Sequence, residues 1–124
     1  MTMLMVRITV PFERQKELLQ TIRLLADPIR NEDGCISHRW YQDLEDRNAF
    51  LLTEEWNCGE SLTRHLRSER FGILLGAMKT LGDSERVSFA IASDELDVEL
   101  GEGLARQGKA PMMCWEEGPT GTSP

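Results

Sequence analysis

The chain has 124 residues, of which 40% are hydrophobic and 6% aromatic, the profile of one ordinary globular domain. Its net charge of −7 repels phosphate backbones. Arg64, Arg67 and Arg70 are interleaved with acids and not with aromatics, so nucleic acid is excluded as a partner.

The charge is unevenly spread. Residues 1–92 carry 12 basic and 14 acidic side chains, whereas residues 93–124 carry 2 and 7. The division predicts a folded domain over 1–92 and an acidic extension over 93–124. Within that extension "SDELDVELGEGLARQ" reads as a short helix over 94–106, followed by a mobile tail with an apolar cluster at Met112, Met113 and Trp115.

In chain order, "MLMVRITV" comes first. It places Leu4, Val6, Ile8 and Val10 on one face and Met3, Met5, Arg7 and Thr9 on the other, a strand alternation. The segment lacks a charged leader and breaks at Arg7, so it is no signal peptide and no membrane span. A cytoplasmic protein with no membrane partner is expected.

Pro11 suits a first helical turn, with Glu13 near the positive end of the dipole. Leu18, Ile22, Leu25 and Ile29 form the buried stripe of a long helix, kinked at Pro28 and closed by Gly34. "CISHRWYQD" and "AFLLTEEW" are two strands joined by the turn-like "LEDRN", a hairpin. In the second strand Phe50, Leu52 and Trp56 share one face while Ala49, Leu51 and Thr53 share the other, so both faces of the sheet are expected to be covered.

Asn57 and Glu60 fit a capping box that opens a helix bearing Leu62, His65 and Leu66. Ser68 restarts the winding, and Phe71, Leu74, Leu75 and Met78 continue the apolar stripe. Gly72 and Gly76, one turn apart, suggest tight helix–sheet packing. "RVSFAIA" supplies a fourth strand with Val87, Phe89 and Ile91 inward.

This order predicts an α+β fold of the ferredoxin-like βαββαβ class, with an antiparallel four-stranded sheet and helices on one face. Two helices leave the other face bare, and a second copy of the same sheet is the economical cover, so a homodimer is expected.

Candidate chemistry is sparse. Cys35, His38, Cys58 and His65 form a superficial zinc set, but residues three apart on a strand face opposite ways, so Cys35 and His38 should not grip one ion. Both cysteines read as small core residues, and no metal site is assigned. No phosphate-cradling loop, dinucleotide fingerprint or nucleophile elbow is present, so no cofactor is assigned. The titratable groups set among apolar residues are His38, Tyr41, His65, Arg39 and Glu54, and a histidine among aromatics suits general base catalysis near neutral pH.

The stretch "GCISHRWYQDLEDRNAFLLTEEWNCGESLTRHLRSERF" resembles the antibiotic-biosynthesis-monooxygenase family. The likeness rests on Gly34-Cys35, the aromatic strand, the acidic turn, "EEW" and "HLRSERF", and covers about residues 3–92. It implies a dimeric α+β barrel and, in many members, oxidation of quinols or anthrones by O2 without metal or flavin. By that resemblance Trp56, Asn48 and His65 are site positions, and His38 stands where many members carry tyrosine. The reading therefore takes His38 and His65 as catalytic candidates, with Trp56, Asn48, Trp40, Tyr41 and Phe71 around a small aromatic substrate. A haem-degrading branch requires a histidine where Leu75 stands and an asparagine where Val6 stands, which disfavours haem. A non-catalytic ligand-binding or stress-response module of the same fold is the alternative.

Overall fold

The computed structural model describes residues 1–83 and 86–94. The helix expected at 94–106 and the tail that follows lie outside the described residues, apart from Asp94.

Four strands and three helices follow one another: β1 (Thr2–Thr9), α1 (Phe12–Arg30), β2 (Cys35–Gln42), β3 (Ala49–Trp56), α2 (Gly59–Leu66), α3 (Glu69–Leu81) and β4 (Ser88–Ser93). The sheet order is β2-β3-β1-β4, and every pairing is antiparallel. The helices cover one face. This is the ferredoxin-like α+β arrangement expected from the element order.

Strand alternation determines which side chains meet the helices. Leu4, Val6 and Ile8 of β1 and Phe50, Leu52 and Trp56 of β3 are buried, and they join Leu18, Ile29, Leu62, Phe71, Leu74 and Met78 in one core. At about 25 cal/mol per Å² of apolar surface, this is the main source of stability. Glu54 falls in the same phase of β3 and is therefore carried into the core, fully buried.

Three local expectations are corrected. The capping box does not form, because α2 starts one residue later, at an N-cap Cys58 with no side-chain cap bond. Asn57 Oδ1 instead accepts from the Ser61 hydroxyl at 2.7 Å. Gly72 and Gly76 do not admit a close neighbour, since a Cβ at either would meet nothing within 4 Å. They lie on the outer side of α3, which packs through Phe71, Leu74 and Met78. Finally, Phe89 and Ile91 share the helix face, across from Val6 and Leu4, yet remain 47% and 53% exposed. β4 is an edge strand, and β1 alone among the described strands flanks it.

Pro11 is the N-cap of α1, and the helix runs through Pro28 but ends at Arg30 with Asn31 as its C-cap, short of the Gly34 expected to close it. Other features follow the sequence closely. Ser68 separates α2 from α3 by accepting from the Phe71 amide at 3.1 Å while donating to the His65 carbonyl at 2.6 Å. Asp43 Oδ1 organises the β2–β3 turn by accepting from the Glu45 and Asp46 amides at 2.7 and 3.0 Å.

Candidate active site

β2 and β3 are joined by a ladder that is not regular. Cys35 pairs with Trp56 and Ser37 with Glu55, so one extra residue is inserted between them. Such a bulge re-aims every side chain beyond it. Without it Ser37 would stand opposite Glu54 and His38 would face outward. With it, His38 pairs with Glu54, and both side chains point under the helices. Cys35 and His38, expected on opposite faces, are therefore both set on the helix-covered face by the bulge.

The second histidine reaches the same carboxylate from above. His65 sits on the last turn of α2, and its Nε2 lies 3.0 Å from Glu54 Oε1. The contact is an ion pair whose angle falls short of a good hydrogen bond. Its Nδ1 donates to Glu32 Oε1 at 2.7 Å, and Glu32 Oε2 meets Arg70 at 3.3 Å. On the other side, His38 Nδ1 is 2.8 Å from Glu54 Oε2, and the Trp40 indole N–H donates to His38 Nε2 at 3.2 Å. The Trp56 indole N–H gives Glu54 Oε1 a further bond at 3.2 Å. The result is one line, Arg70–Glu32–His65–Glu54–His38–Trp40, buried at His65, Glu54 and His38 and exposed at Arg70.

Its protonation follows from its partners. Glu54 is wholly buried, which pushes its pKa up, but the hydrogen bond from His38 and the close contact with the His65 ring overcome this and hold it down at about 2. For His65 burial acts to lower the pKa, and the carboxylates of Glu54 and Glu32 outweigh it, so the net shift is upward. The ionised form of Glu54 and the protonated form of His65 thus favour one another. In His38, Nε2 accepts from Trp40, which assigns the proton to Nδ1 and leaves Nε2 as the basic atom.

Aromatic rings close the site. Trp56 stacks on His65 at 4.6 Å with 29° between planes, a geometry that favours the cation. Phe71 presents its ring to His65 at 5.1 Å and 63°, and Trp40 meets His38 edge-on at 6.4 Å. Arg30 ties this end of α1 to β2 by donating twice to the His38 carbonyl, at 3.2 and 3.0 Å. Gly34, at φ +90°, makes the approach possible, because a Cβ there would run into the Ser61 side chain and Asn57 Oδ1. That turn carries Glu32 against α2.

Of the positions proposed from sequence, His38, His65, Trp40, Trp56 and Phe71 converge. Asn48 does not. It lies six residues before Glu54 on an extended strand, roughly 20 Å away, where its Oδ1 accepts from Gln15 at 3.2 Å. Tyr41 does not either: it is 49% exposed on the bare face of the sheet, opposite Leu51. The site also contains two carboxylates absent from the proposed set of catalytic and substrate-binding residues. Glu54 announced itself only by its phase with Phe50, Leu52 and Trp56, and Glu32, in a turn, left no sequence signal.

The surface near the line is indented. A pocket of about 300 Å³ lined by Glu32, Ser61, Arg64, His65, Ser68 and Arg70 reaches its outer end. A larger open groove of about 800 Å³ runs along α2 beside Thr2 and Ile91. Among the described residues no three His, Cys, Asp or Glu side chains are grouped to hold a metal ion, and both nitrogens of each histidine are turned toward the partners named above. No helix among them is long and apolar enough to cross a membrane.

Comparison with known proteins extends this picture. A 64-residue stretch, 52% of the chain, is 31% identical to the uncharacterized protein sll1783 of Synechocystis sp. and covers 44% of it, less than half its length. A conserved protein from Methanosarcina mazei Go1 superposes with a TM-score of 0.69 at 25% identity, over 73% of this chain and 89% of that one. SnoaB, a cofactor-independent oxygenase from Streptomyces nogalater, superposes with a TM-score of 0.64 over 74% and 90% of the two chains; at 15% identity the likeness is one of fold. Residues 1–72 match the family model of the antibiotic biosynthesis monooxygenases, and with more than half of its length so matched the chain belongs to that family.

Proposed function

We propose that this protein is a monooxygenase that oxidises a quinol- or anthrone-like aromatic substrate with O2, using His38 as its base. The supporting observation is the His38–Glu54–His65 line, set against the rings of Trp40, Trp56 and Phe71. A base needs a lone pair that can be uncovered and a partner for the charge it acquires. His38 Nε2 is capped by one indole N–H, which a substrate hydroxyl replaces as Trp40 turns aside. Glu54 behind Nδ1 then balances the new imidazolium, the role an orienting carboxylate plays in catalytic triads.

His65, already charged between two carboxylates, is not the base in this scheme. It fixes Glu54 and adds positive field near the substrate anion. Once deprotonated, the electron-rich ring reduces O2 directly. For a quinol, one oxygen atom enters as a new C–O bond and the other leaves as water. The quinol gives up four electrons in becoming a hydroxyquinone.

The assembly proposed with this activity is a homodimer. The bare sheet face carries Met3, Met5, Leu51 and Thr53, all partly shielded within one chain, among Arg39, Tyr41 and Glu55. A second sheet laid on it would bury the apolar members. A non-catalytic ligand-binding module is the second reading. It is favoured by the near-complete burial of both histidines, each 1% exposed, as in a structural network.

Oxygen uptake decides between them. Chelator-treated protein should accelerate O2 consumption by a polycyclic hydroquinone or anthrone, and His38→Ala should lower the rate by about 10²–10⁴-fold. No acceleration across a broad panel would favour the binding module, and activity only with added haem, flavin or metal would refute the cofactor-free scheme.

A further inference from the structure

Glu32 occupies a position that the reaction above does not use. Its carboxylate joins three separate elements: the α1–β2 turn on which it sits, α2 through His65 Nδ1 at 2.7 Å, and α3 through Arg70 Nη1 at 3.3 Å. At 12% side-chain exposure it is also where the buried line meets solvent, inside the pocket bounded by Ser61, Arg64, Ser68 and Arg70. We propose that Glu32 is a positioning residue: clamped by Arg70, it keeps His65 doubly protonated and thereby holds Glu54 aimed at His38. The inference rests on the site described under the proposed function and assigns the outer half of that site its task.

Geometry carries the argument. With both ring nitrogens of His65 turned to carboxylates, a neutral ring would leave one nitrogen lone pair facing an oxygen lone pair at 2.7 or 3.0 Å. That repulsion is removed only by the second proton. Remove the Glu32 charge, and one of the two reasons for that proton goes. Glu54 then loses a full countercharge and is held toward His38 by the His38 and Trp56 hydrogen bonds alone.

The groups around His65 on every packed element fit this assignment. β3 presents Glu54 and the neutral Trp56, α3 presents Phe71 and, through Glu32, Arg70, and α2 itself carries Arg64, which pairs with Asp33 at 3.4 Å. From β2 come His38, behind Glu54, and Cys35. Burial first, then Glu54 and Glu32, push the Cys35 thiol up to about 11, so it stays uncharged. The two carboxylates are therefore the charges that touch the ring directly.

The test is a ¹⁵N-histidine NMR titration of the full chain, whose two histidines give an assignable spectrum. Wild-type His65 should remain doubly protonated beyond the range of a free histidine. Glu32→Gln, which keeps the shape and an acceptor oxygen but loses the charge, should lower its midpoint by about one pH unit or more. Glu32→Asp, which keeps the charge but draws it back from the ring, should lower it by a smaller amount. An unchanged midpoint in Glu32→Gln, or a wild-type His65 that titrates like free histidine, overturns the inference. If Glu32→Gln does not fold, Glu32→Asp decides alone, because it keeps a carboxylate for Arg70 while lengthening the reach to His65; a midpoint that does not fall refutes the assignment. The readout is independent of turnover. The expected shifts without oxygen uptake would keep the clamp and sink the oxygenase reading, and uptake with an unmoved His65 would do the reverse.

Discussion

Glu54 is the residue on which the account turns, because a fully buried carboxylate is tolerable only when paired. Replacing it by Gln would leave the His65 imidazolium with Glu32 as its one remaining countercharge, and should cost about 3–5 kcal/mol of stability in chemical denaturation. The same pair makes stability depend on pH. Glu54 has its pKa depressed from 4.5 to about 2, so its contribution is complete above pH 4.5 and is lost as pH falls toward 2. His65 has its pKa raised from 6.5, so its contribution is complete below pH 6.5 and is lost as pH rises through the folded value. Together they predict greatest stability from these groups between about pH 4.5 and 6.5, with losses on both sides. A denaturation series across pH checks it, and stability that climbs steadily from pH 6 to 9 would contradict it. At this scale the sequence was half legible. The two histidines stood out as rare titratable groups among apolar neighbours, and Glu54 shared the buried phase of its strand. Their meeting depends on a single inserted residue between Cys35 and Ser37, and nothing in "GCISHRW" marks a bulge.

Among the elements, the α2–α3 junction does the most to build the site. Ser68 ends one helix and caps the next, and so fixes His65 and Phe71 on either side of a sharp bend. Ser68→Ala should cost about 1 kcal/mol and loosen the His65–Phe71 contact, measurable as a lower midpoint and altered His65 shifts. Gly34→Ala should be worse, because its backbone is left-handed and its missing Cβ admits Ser61 and Asn57. The two glycines of α3 should behave in the opposite sense. Nothing lies within 4 Å of a Cβ at Gly72 or Gly76, so Gly→Ala at either should stabilise the chain by about 0.5–1 kcal/mol. A loss at either would show that a partner covers this side of α3. Helix periodicity and turn chemistry revealed these elements well, down to the Ser68 restart. Periodicity did not show which side of α3 its glycines occupy, since helix packing is decided by tertiary neighbours. The Asn57–Glu60 capping signal failed for a comparable reason: the Asn57 side chain is held by Ser61 beside the Gly34 turn.

For the molecule as a whole, alternation in β1 and β3 made the two-faced sheet legible before any coordinates. The edge position of β4 was not legible, because its apolar residues promise burial whether or not a helix lies over them. The homodimer reading predicts about twice the 14.1 kDa chain mass in light scattering at micromolar concentration. It also predicts that Leu51→Asp, on the bare face, shifts the protein toward monomer without unfolding it; a monomeric wild type would end that reading. The chemical claim is tested most directly under anaerobic conditions, where proton removal is isolated from oxygen reduction. Mixing the protein with a hydroquinone or anthrone, at a pH below that at which the free compound ionises, should produce the absorption of its anion. His38→Ala should abolish that signal, while Tyr41→Phe, on the opposite face of the sheet, should leave it intact. Anion formation that survives the loss of His38, or none with any substrate that binds, would contradict the assignment of His38 as the base.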